Sequence, residues 1–249
     1  MSLRRRIRIY LDSPLATDRD VSLPHSASHH LCKVLRADVG TAIELFNGDG
    51  KNYAATLLTT GKTATAKVLA ETPGLPEPAL SLELIQGISR ADRMDTSLQK
   101  AVELGVNRIW PVFTEKSAVR LQGQRLEKKC QHWLGVLISA CEQSGRSDVP
   151  QLMQVQSLST CVDNLPESGG NWLFAPESEV TIGDAPQPPS PCRLLIGPES
   201  GLSDTEIALC EDAGFSSISL GPRILRTETA GPAALAILQS RFGDLKKPD

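Results

Sequence analysis

The hydrophobic residues follow two different periods along the chain, and the change comes near residue 73. Before it, hydrophobic and polar residues alternate in short runs at 6–11, 42–46 and 52–57, with the turn sequence Asn-Gly-Asp-Gly at 47–50. Alternation with a period of two is typical of half-buried β-strands. We therefore predict a small β-rich domain with one short helix near residues 29–35.

After residue 79, short hydrophobic runs alternate with helical patterns. The predicted strands cover residues 80–85, 108–113, 172–175, 193–196 and 217–220. The first two predicted helices end at Gly105 and near Gly145, and a third begins with the capping box Ser203-x-x-Glu206 and ends at Gly214. The last predicted helix is expected to begin its regular part at Pro232, because the N–H that proline lacks has no partner in the first turn of a helix. Strands that alternate with helices indicate a parallel sheet covered on both faces.

The segment between the two patterns, residues 73–79, reads Pro-Gly-Leu-Pro-Glu-Pro-Ala, which is the composition of a semi-rigid linker. A chain of 249 residues is long for one compact unit. We therefore predict two domains, at residues 1–72 and 73–249.

Charge and composition narrow the class of protein. Residues 1–72 contain 10 Lys and Arg against 7 Asp and Glu, a net charge of +3, which leaves −6 for residues 73–249. The basic end is suggestive of contact with phosphate groups. No hydrophobic run approaches the ~18 residues of a membrane span, and no signal-peptide core follows the N-terminus, so a cytoplasmic protein is expected.

The six cysteines form no C-x-x-C pair, and no histidines stand at zinc-finger spacing. We interpret them as buried free thiols, and we expect no metal. The four histidines, His25, His29, His30 and His132, show no partner pattern and are assigned no catalytic role.

Two glycine-bearing loops, residues 196–202 and 220–230, directly follow predicted strands. Ligands of open α/β sheets bind beyond the carboxyl ends of the strands. Neither loop matches the dinucleotide or triphosphate motifs, but glycine and proline leave backbone groups that can bond an adenine edge and a ribose. Tight turns without a ligand are the alternative interpretation.

The two loops make a family resemblance visible. Gly197-Pro198-Glu199-x-Gly201-Leu202-Ser203 and Leu220-Gly-Pro-Arg-Ile-Leu-Arg-Thr-Glu-Thr-Ala230 closely resemble the RsmE family of SPOUT methyltransferases. Further matching blocks lie at 30–36, 99–106, 114–117 and 142–146, so that the resemblance covers nearly the whole chain. Four positions depart from the usual family pattern: Ser200 replaces glycine, Lys116 replaces arginine, and Gly231-Pro232 replaces a more ordinary helical pair.

The resemblance implies an α/β SPOUT domain with a C-terminal trefoil knot, preceded by a PUA-like β-barrel domain that binds RNA, and an obligate homodimer. It also implies S-adenosylmethionine as cofactor and N3 of a uridine in 16S ribosomal RNA of the small subunit as target. The matching cofactor residues are Leu195, Gly197, Glu199, Gly201, Leu220, Gly221, Leu225, Arg226 and Thr229.

The implied substrate suggests roles for charged residues. Uracil N3 is a poor nucleophile until its imide proton leaves, so a catalyst must stabilise the charge that develops on O2 and O4. Arg226 is the first candidate for this role. Glu142, in a last helical turn where the helix dipole disfavours a carboxylate, and Arg146 are further candidate catalytic residues, expected to hold the uridine or a partner subunit. Candidate RNA contacts are Arg4, Arg5, Arg6, Arg8, Arg36 and Lys100, although Lys100 with Glu103 also fits a plain surface ion pair.

Two alternatives stay open. A SPOUT enzyme acting on a ribose 2′-hydroxyl or a tRNA base would have similar cofactor loops. A non-catalytic RNA-binding assembly factor would keep the fold without binding the cofactor.

Overall fold

The computed structural model describes residues 7–76, 78, 80–118 and 121–245, and the chain forms two compact units. The first comprises Met1–Glu77 and Cys141–Val149, and the second comprises Pro78–Ala140 and Pro150–Asp249. The sequence placed residues 141–149 in the second domain, whereas they cluster with the first unit. The domain boundary at 72/73 itself stays a prediction.

The first unit is built on a five-stranded sheet. Its strands are β1 (Arg8–Tyr10), β2 (Asp20–Ser22), β3 (Ala42–Phe46), β4 (Lys51–Thr59) and β5 (Thr65–Pro73). They lie in the order β1-β3-β4-β5-β2, with β1 parallel to β3 and the other neighbours antiparallel. Helix α1 (His25–His29) continues into one π-helical turn, His30–Val34. The predicted β-rich domain with a short helix near 29–35 is confirmed.

The alternating pattern explains this sheet. In β4, Tyr53, Ala55 and Leu57 point into the core and are at most 2% exposed, while the residues between them face outwards. The turn between β3 and β4 contains Gly48 and Gly50, both with positive φ (94° and 80°), a region that glycine adopts without steric cost. The turn predicted at 47–50 therefore sets the register of this hairpin.

The second unit is built on a seven-stranded sheet in which the pairings are parallel. Its strands are β6 (Leu82–Gly87), β7 (Arg108–Phe113), β8 (Gln151–Leu152), β9 (Gln156–Ser157), β10 (Gly170–Phe174), β11 (Cys192–Ile196) and β12 (Ser216–Ile218). The order is β12-β10-β11-β6-β7-β8, with β9 also paired to β7. The predicted parallel α/β sheet is confirmed.

The described residues from 80 onwards also form five helices. They are α2 (Ala91–Glu103), α3 (Gly123–Ser144), α4 (Leu158–Asp163), α5 (Asp204–Asp212) and α6 (Thr227–Phe242). Helix α2 buries its apolar face completely, and Gly105 follows its end with φ of 82°. Helix α5 has the predicted capping box, in which the Ser203 and Glu206 side chains each bond the other residue's backbone N–H. The sequence pattern missed the short helix α4.

The prediction for the last helix is wrong at its start, because α6 begins at Thr227 and not at Pro232. The Thr227 side chain is buried, accepts a hydrogen bond from Gln86 Nε2 at 3.0 Å and donates one to Gly197 O at 2.8 Å. These tertiary bonds fix the first turn ahead of the proline. Pro232 then lies inside the helix, where it removes one backbone hydrogen bond without ending it.

Within the described ranges, no helix combines the length and the hydropathy required to cross a membrane.

Candidate active site

A cavity of about 860 Å³ lies at the carboxyl ends of three neighbouring strands of the second unit. The segments that follow β10, β11 and β12 line it, at residues 174–177, 197–202 and 220–227. Because the three strands are parallel and adjacent, their carboxyl ends meet at one edge of the sheet. The volume falls within the usual range for small-molecule sites, about 300–1,000 Å³.

Most of the predicted cofactor residues come together in this cavity. Those that line it are Gly197, Glu199, Gly201, Leu220, Gly221, Leu225 and Arg226. Two others do not: Leu195 is fully buried inside β11, and Thr229 is exposed on α6. The two glycine loops therefore form a single site, as the sequence suggested, while these two residues lie outside its lining.

The backbone of both loops depends on glycine. Gly201 has φ of 70° and Gly221 has φ of 90°, in the left-handed region that side chains disfavour. Ser200 does not have a positive φ, so serine at this position is not strained. A Cβ on Gly197 would lie 3.3 Å from Gly201 and Leu202, which shows how tightly the turn is packed.

The loop at 197–202 is attached to the neighbouring strand β6. A Cβ on Gly87 would lie 2.6 Å from Pro198, so the backbone of β6 and the loop approach each other closely. The carbonyl of Gly197 accepts the bond from Thr227, and the backbone N–H of Arg90 donates to Glu199 Oε1 at 2.9 Å. The loop is thus held by the Thr227 side chain and by the backbone N–H of Arg90, which come from two other segments.

Charged side chains stand at the edge of the cavity. Arg93 Nη1 lies 3.4 Å from Glu199 Oε1, and its Nε lies 3.9 Å from Glu228 Oε1. The same Glu228 oxygen lies 3.9 Å from Arg226 Nη1. The Arg226 side chain is 78% exposed, so this single long contact leaves its guanidinium accessible to a ligand.

Sequence reasoning missed two parts of this site. Arg93 lies in the first turn of α2 and reads as an ordinary surface residue in the helical pattern. The segment after β10 carries no glycine motif, although residues 174–177 line the cavity. Only the sheet order, with β10 between β11 and β12, places that segment beside the two glycine loops.

The other proposed catalytic residues belong to the first unit. Glu142 lies in the last turn of α3, as predicted, and its Oε1 accepts a hydrogen bond from the backbone N–H of Tyr10 at 3.1 Å. Burial raises the pKa of the Glu142 carboxyl, while the Tyr10 hydrogen bond and the charges of His30 and Arg8 act in the opposite direction.

Arg146 is 7% exposed and forms an ion pair with Asp148 at 2.5 Å. Its carbonyl accepts a hydrogen bond from Arg8 Nη2 at 2.8 Å. Arg8 also pairs with Glu44 and donates to Asn52 Oδ1 at 2.9 Å, and only 8% of its side chain is exposed. This burial corrects the expectation that Arg8 offers its side chain to phosphate, because the guanidinium already has protein partners.

Two of the remaining predicted RNA contacts, Arg36 and Lys100, lie within the described residues. Arg36 is exposed, with φ of 52°, after the π-helical turn. Lys100 Nζ bonds both carboxylate oxygens of Glu103 at 2.9 Å, which is the surface ion pair considered above. Arg4, Arg5 and Arg6 lie outside the described residues.

No cysteine or histidine of the described residues is among those that line the cavity. All six cysteines are free thiols, four of them buried, and burial raises the pKa of Cys141, Cys192 and Cys210 to about 12. His132 Nε2 lies 2.7 Å from Asp95 Oδ2 on the surface. Across the part of the chain that the structure describes, no three His, Cys, Asp or Glu side chains cluster closely enough to hold a metal ion.

Two family models match most of the chain. A family model described as an RNA methyltransferase domain matches residues 76–239, and one described as an RNA methyltransferase PUA domain matches residues 23–69. The ribosomal RNA small subunit methyltransferase E of Buchnera aphidicola (from Schizaphis graminum) is 36% identical over 98% of this chain and 100% of its own length. That of Bacillus subtilis is 28% identical over 84% of this chain and 86% of its own.

Solved structures agree in fold over almost the entire chain. The ribosomal RNA small subunit methyltransferase E of Neisseria gonorrhoeae, solved bound to S-adenosylmethionine, has a TM-score of 0.89 and 38% identity, and the match covers 97% of this chain and 100% of that one. A Legionella pneumophila protein solved with its bound cofactor SAM has a TM-score of 0.92 and 37% identity, over 96% and 99% of the two chains. With its N-terminal PUA domain and SPOUT α/β domain, the chain belongs to the ribosomal RNA small subunit methyltransferase E family.

Proposed function

We propose that this protein transfers the methyl group of S-adenosylmethionine to N3 of one uridine in the 16S RNA of the small ribosomal subunit. The observation that carries the proposal is the single cavity formed by both glycine loops at the carboxyl edge of the parallel sheet. Family membership supplies the class of reaction, and the Neisseria relative, solved with the same cofactor, supports the choice of ligand.

The residues that line the cavity fit this cofactor. Backbone groups of the loops around Gly197, Gly201, Leu220 and Leu225 would hold the adenosine, with Gly221 keeping the second loop in its left-handed turn. Leu195 and Thr229 are retained in the proposed binding set on family resemblance alone. When bound, S-adenosylmethionine supplies a methyl group that is already activated by its sulfonium.

Arg226 would act on the substrate base. Its exposed guanidinium lies at the edge of the cavity, where it can bond the uracil oxygens as negative charge develops on them. Transfer of the imide proton to solvent makes N3 a nucleophile, and a positioned cation lowers the free energy of that anion. The remaining work is alignment of N3 with the methyl group, which is a matter of proximity.

Glu142 and Arg146 are proposed to hold the uridine or a partner subunit rather than to transfer a proton. Their bonds to Tyr10 and Asp148 fix both side chains in the first unit. Further RNA contacts are proposed for Arg4, Arg5, Arg6, Arg36 and Lys100. The proposal also includes a homodimer, a C-terminal trefoil knot and a cytoplasmic location.

The test is single-turnover methyl transfer to small ribosomal subunits by Arg226→Ala across a range of pH. Loss of one donor to a developing oxyanion typically lowers the rate about 100- to 1,000-fold, with little change in RNA affinity. Raising the pH should recover part of this rate, because hydroxide then ionises the uracil. A wild-type rate for Arg226→Ala would remove that arginine from the mechanism, and Arg146 would be tested next.

Calorimetry separates the alternatives. A non-catalytic assembly factor would give no heat with S-adenosylmethionine, whereas a methyltransferase of either target would bind it. A SPOUT enzyme with another target would bind the cofactor but leave N3 of the 16S uridines unmodified.

A further inference from the structure

Ser200 and Lys116 join two loops through a reciprocal pair of hydrogen bonds. The Ser200 hydroxyl donates to the backbone carbonyl of Lys116 at 2.5 Å, and Lys116 Nζ donates to the backbone carbonyl of Leu202 at 2.9 Å. Each side chain thus bonds the backbone of the opposite segment. We call this pair of bonds the loop clip.

One side of the loop clip is a rigid turn. Thr114 and Ser117 bond each other through backbone and side chain, at 2.9–3.1 Å, and both are at most 7% exposed. The backbone N–H of Glu115 donates to Glu206 Oε1 at 2.8 Å, and Glu206 is the buried carboxylate that caps helix α5. Lys116 therefore projects from a segment that is already fixed.

The other side of the loop clip is the cofactor loop. Its turn is closed by the bond from Gly201 N to Pro198 O at 2.9 Å, and Glu199 attaches it to the start of α2. The clip attaches this loop to a further segment, residues 114–117. A glycine at position 200 has no hydroxyl and could not make the first of the two bonds.

We propose that Ser200 and Lys116 are positioning residues that pre-organise the cofactor loop for S-adenosylmethionine. The inference rests on the proposed function of residues 197–202 as part of the cofactor site. A loop that is ordered before binding costs less conformational entropy on binding, so the clip contributes to affinity without touching the reacting atoms. It should therefore act on the cofactor Kd and KM and leave kcat at saturating cofactor unchanged.

The experiment measures the Kd of S-adenosylmethionine by calorimetry, and its KM and kcat by methyl transfer, for Ser200→Ala, Lys116→Met and the double variant. Each single change should raise Kd roughly three- to tenfold, the range expected for loss of one net hydrogen bond. The double variant should raise Kd by a factor smaller than the product of the two single-variant factors, because both bonds close the same loop.

Conservative variants distinguish the clip from a loss of folding. Lys116→Arg and Ser200→Thr keep a donor and should restore most of the affinity, and kcat should stay within about twofold of wild type in all variants. Ser168→Ala and Lys128→Met, at exposed positions outside both loops, serve as matched controls.

Unchanged Kd for both Ser200→Ala and Lys116→Met, in a wild-type protein that binds the cofactor, would overturn the clip and leave the proposed function standing. If Lys116→Arg and Ser200→Thr lost as much cofactor affinity as Lys116→Met and Ser200→Ala do, that result would also overturn the clip. Absence of cofactor binding by the wild type would instead contradict the proposed function.

Discussion

At the residue scale, the cofactor loops show how one backbone angle constrains a site. The two glycines with positive φ, Gly201 and Gly221, are the positions where the loops disfavour an ordinary side chain, while Ser200, directly before Gly201, is unstrained. The sequence indicated that these loops bind a ligand, but it could not tell which of the positions needs glycine. That answer depends on the torsion angles, which the residue types alone do not determine.

Gly221→Ala should therefore weaken cofactor binding while the protein stays folded. A Cβ at Gly221 meets no atom within 4 Å, so the effect comes from the backbone angle of 90° and not from a clash. The left-handed region costs an alanine about 1–2 kcal/mol, which corresponds to roughly five- to thirtyfold in Kd if the loop relaxes to avoid it. Calorimetry with S-adenosylmethionine measures this change.

Gly135→Ala is the matched control, because that helical glycine also has open space around its Cβ and lacks a positive φ. It should bind the cofactor as wild type does and be slightly more stable. Equal affinities of the Gly221 and Gly135 variants would show that the angle at Gly221 does not matter for binding.

Glu142 gives a prediction about pH. Its pKa is raised in the folded protein from an ordinary value of 4.5, chiefly by burial, so the folded state binds this proton more tightly than the unfolded chain does. The stability that the folded protein gains from this tighter proton binding is complete below pH 4.5 and is lost as the pH rises through the raised pKa. Glu142→Gln keeps an acceptor for Tyr10 N and carries no charge, so it should gain stability relative to wild type as the pH increases over that window.

Urea unfolding at a series of pH values measures the difference in free energy, with Glu127→Gln, an exposed residue of the same helix, as the control. If the difference in the free energy of unfolding between wild type and Glu142→Gln stayed constant with pH, the result would contradict the burial of a charged Glu142.

At the element scale, periodicity predicted most helices and strands, and tertiary contacts decided the exceptions. Helix α6 begins five residues before the proline because Thr227 is tied to Gln86 and Gly197, residues distant in sequence. The segment after β10 belongs to the site because of the sheet order, which no local pattern contains. Both results depend on contacts between segments far apart in the chain.

The central sheet holds a buried ion pair whose loss should be costly. Glu83 on β6 is 4% exposed and accepts hydrogen bonds from Arg193 Nε at 3.2 Å and Trp110 Nε1 at 3.0 Å. Glu83→Gln leaves the charge of Arg193, itself 1% exposed, without its counter-ion, which should lower the free energy of unfolding by about 3–5 kcal/mol. Denaturant unfolding measures this loss.

The surface pair between Lys51 and Glu71, at 3.1 Å with both side chains about half exposed, is the control. Glu71→Gln should cost at most ~1 kcal/mol. A similar small loss for Glu83→Gln would mean that the buried pair is not formed as described.

At the scale of the whole molecule, charge is divided along the sequence. Residues 1–72 carry a net +3 while the chain as a whole carries −3. Replacing Arg4, Arg5 and Arg6 with alanine should weaken RNA binding and flatten the slope of log K against log salt. For each phosphate that the variant no longer neutralises, the slope should change by up to ~0.9, the value for a B-form duplex, and by ~0.7 on single strands. Filter binding at several salt concentrations measures the slope, and cofactor affinity should not change.

An unchanged slope in that triple variant would place the RNA contacts on other residues. Arg8 is not included in the variant, because its burial and its bonds to Glu44 and Asn52 give it a structural role in the first unit. The sequence could not separate Arg8 from its basic neighbours, since burial depends on Glu44, Asn52 and the backbone of Arg146, all of which are remote in the chain.

The central claim is tested most directly by mapping the product. Small ribosomal subunits from a strain that lacks this modification are incubated with the purified protein and S-adenosylmethionine, and the 16S RNA is then digested and analysed by mass spectrometry. One new methyl group is expected, on N3 of a single uridine; it should require the cofactor and form about 100- to 1,000-fold more slowly with Arg226→Ala. No methylation, or a methyl group on a ribose 2′-hydroxyl or on a different base, would contradict the central claim.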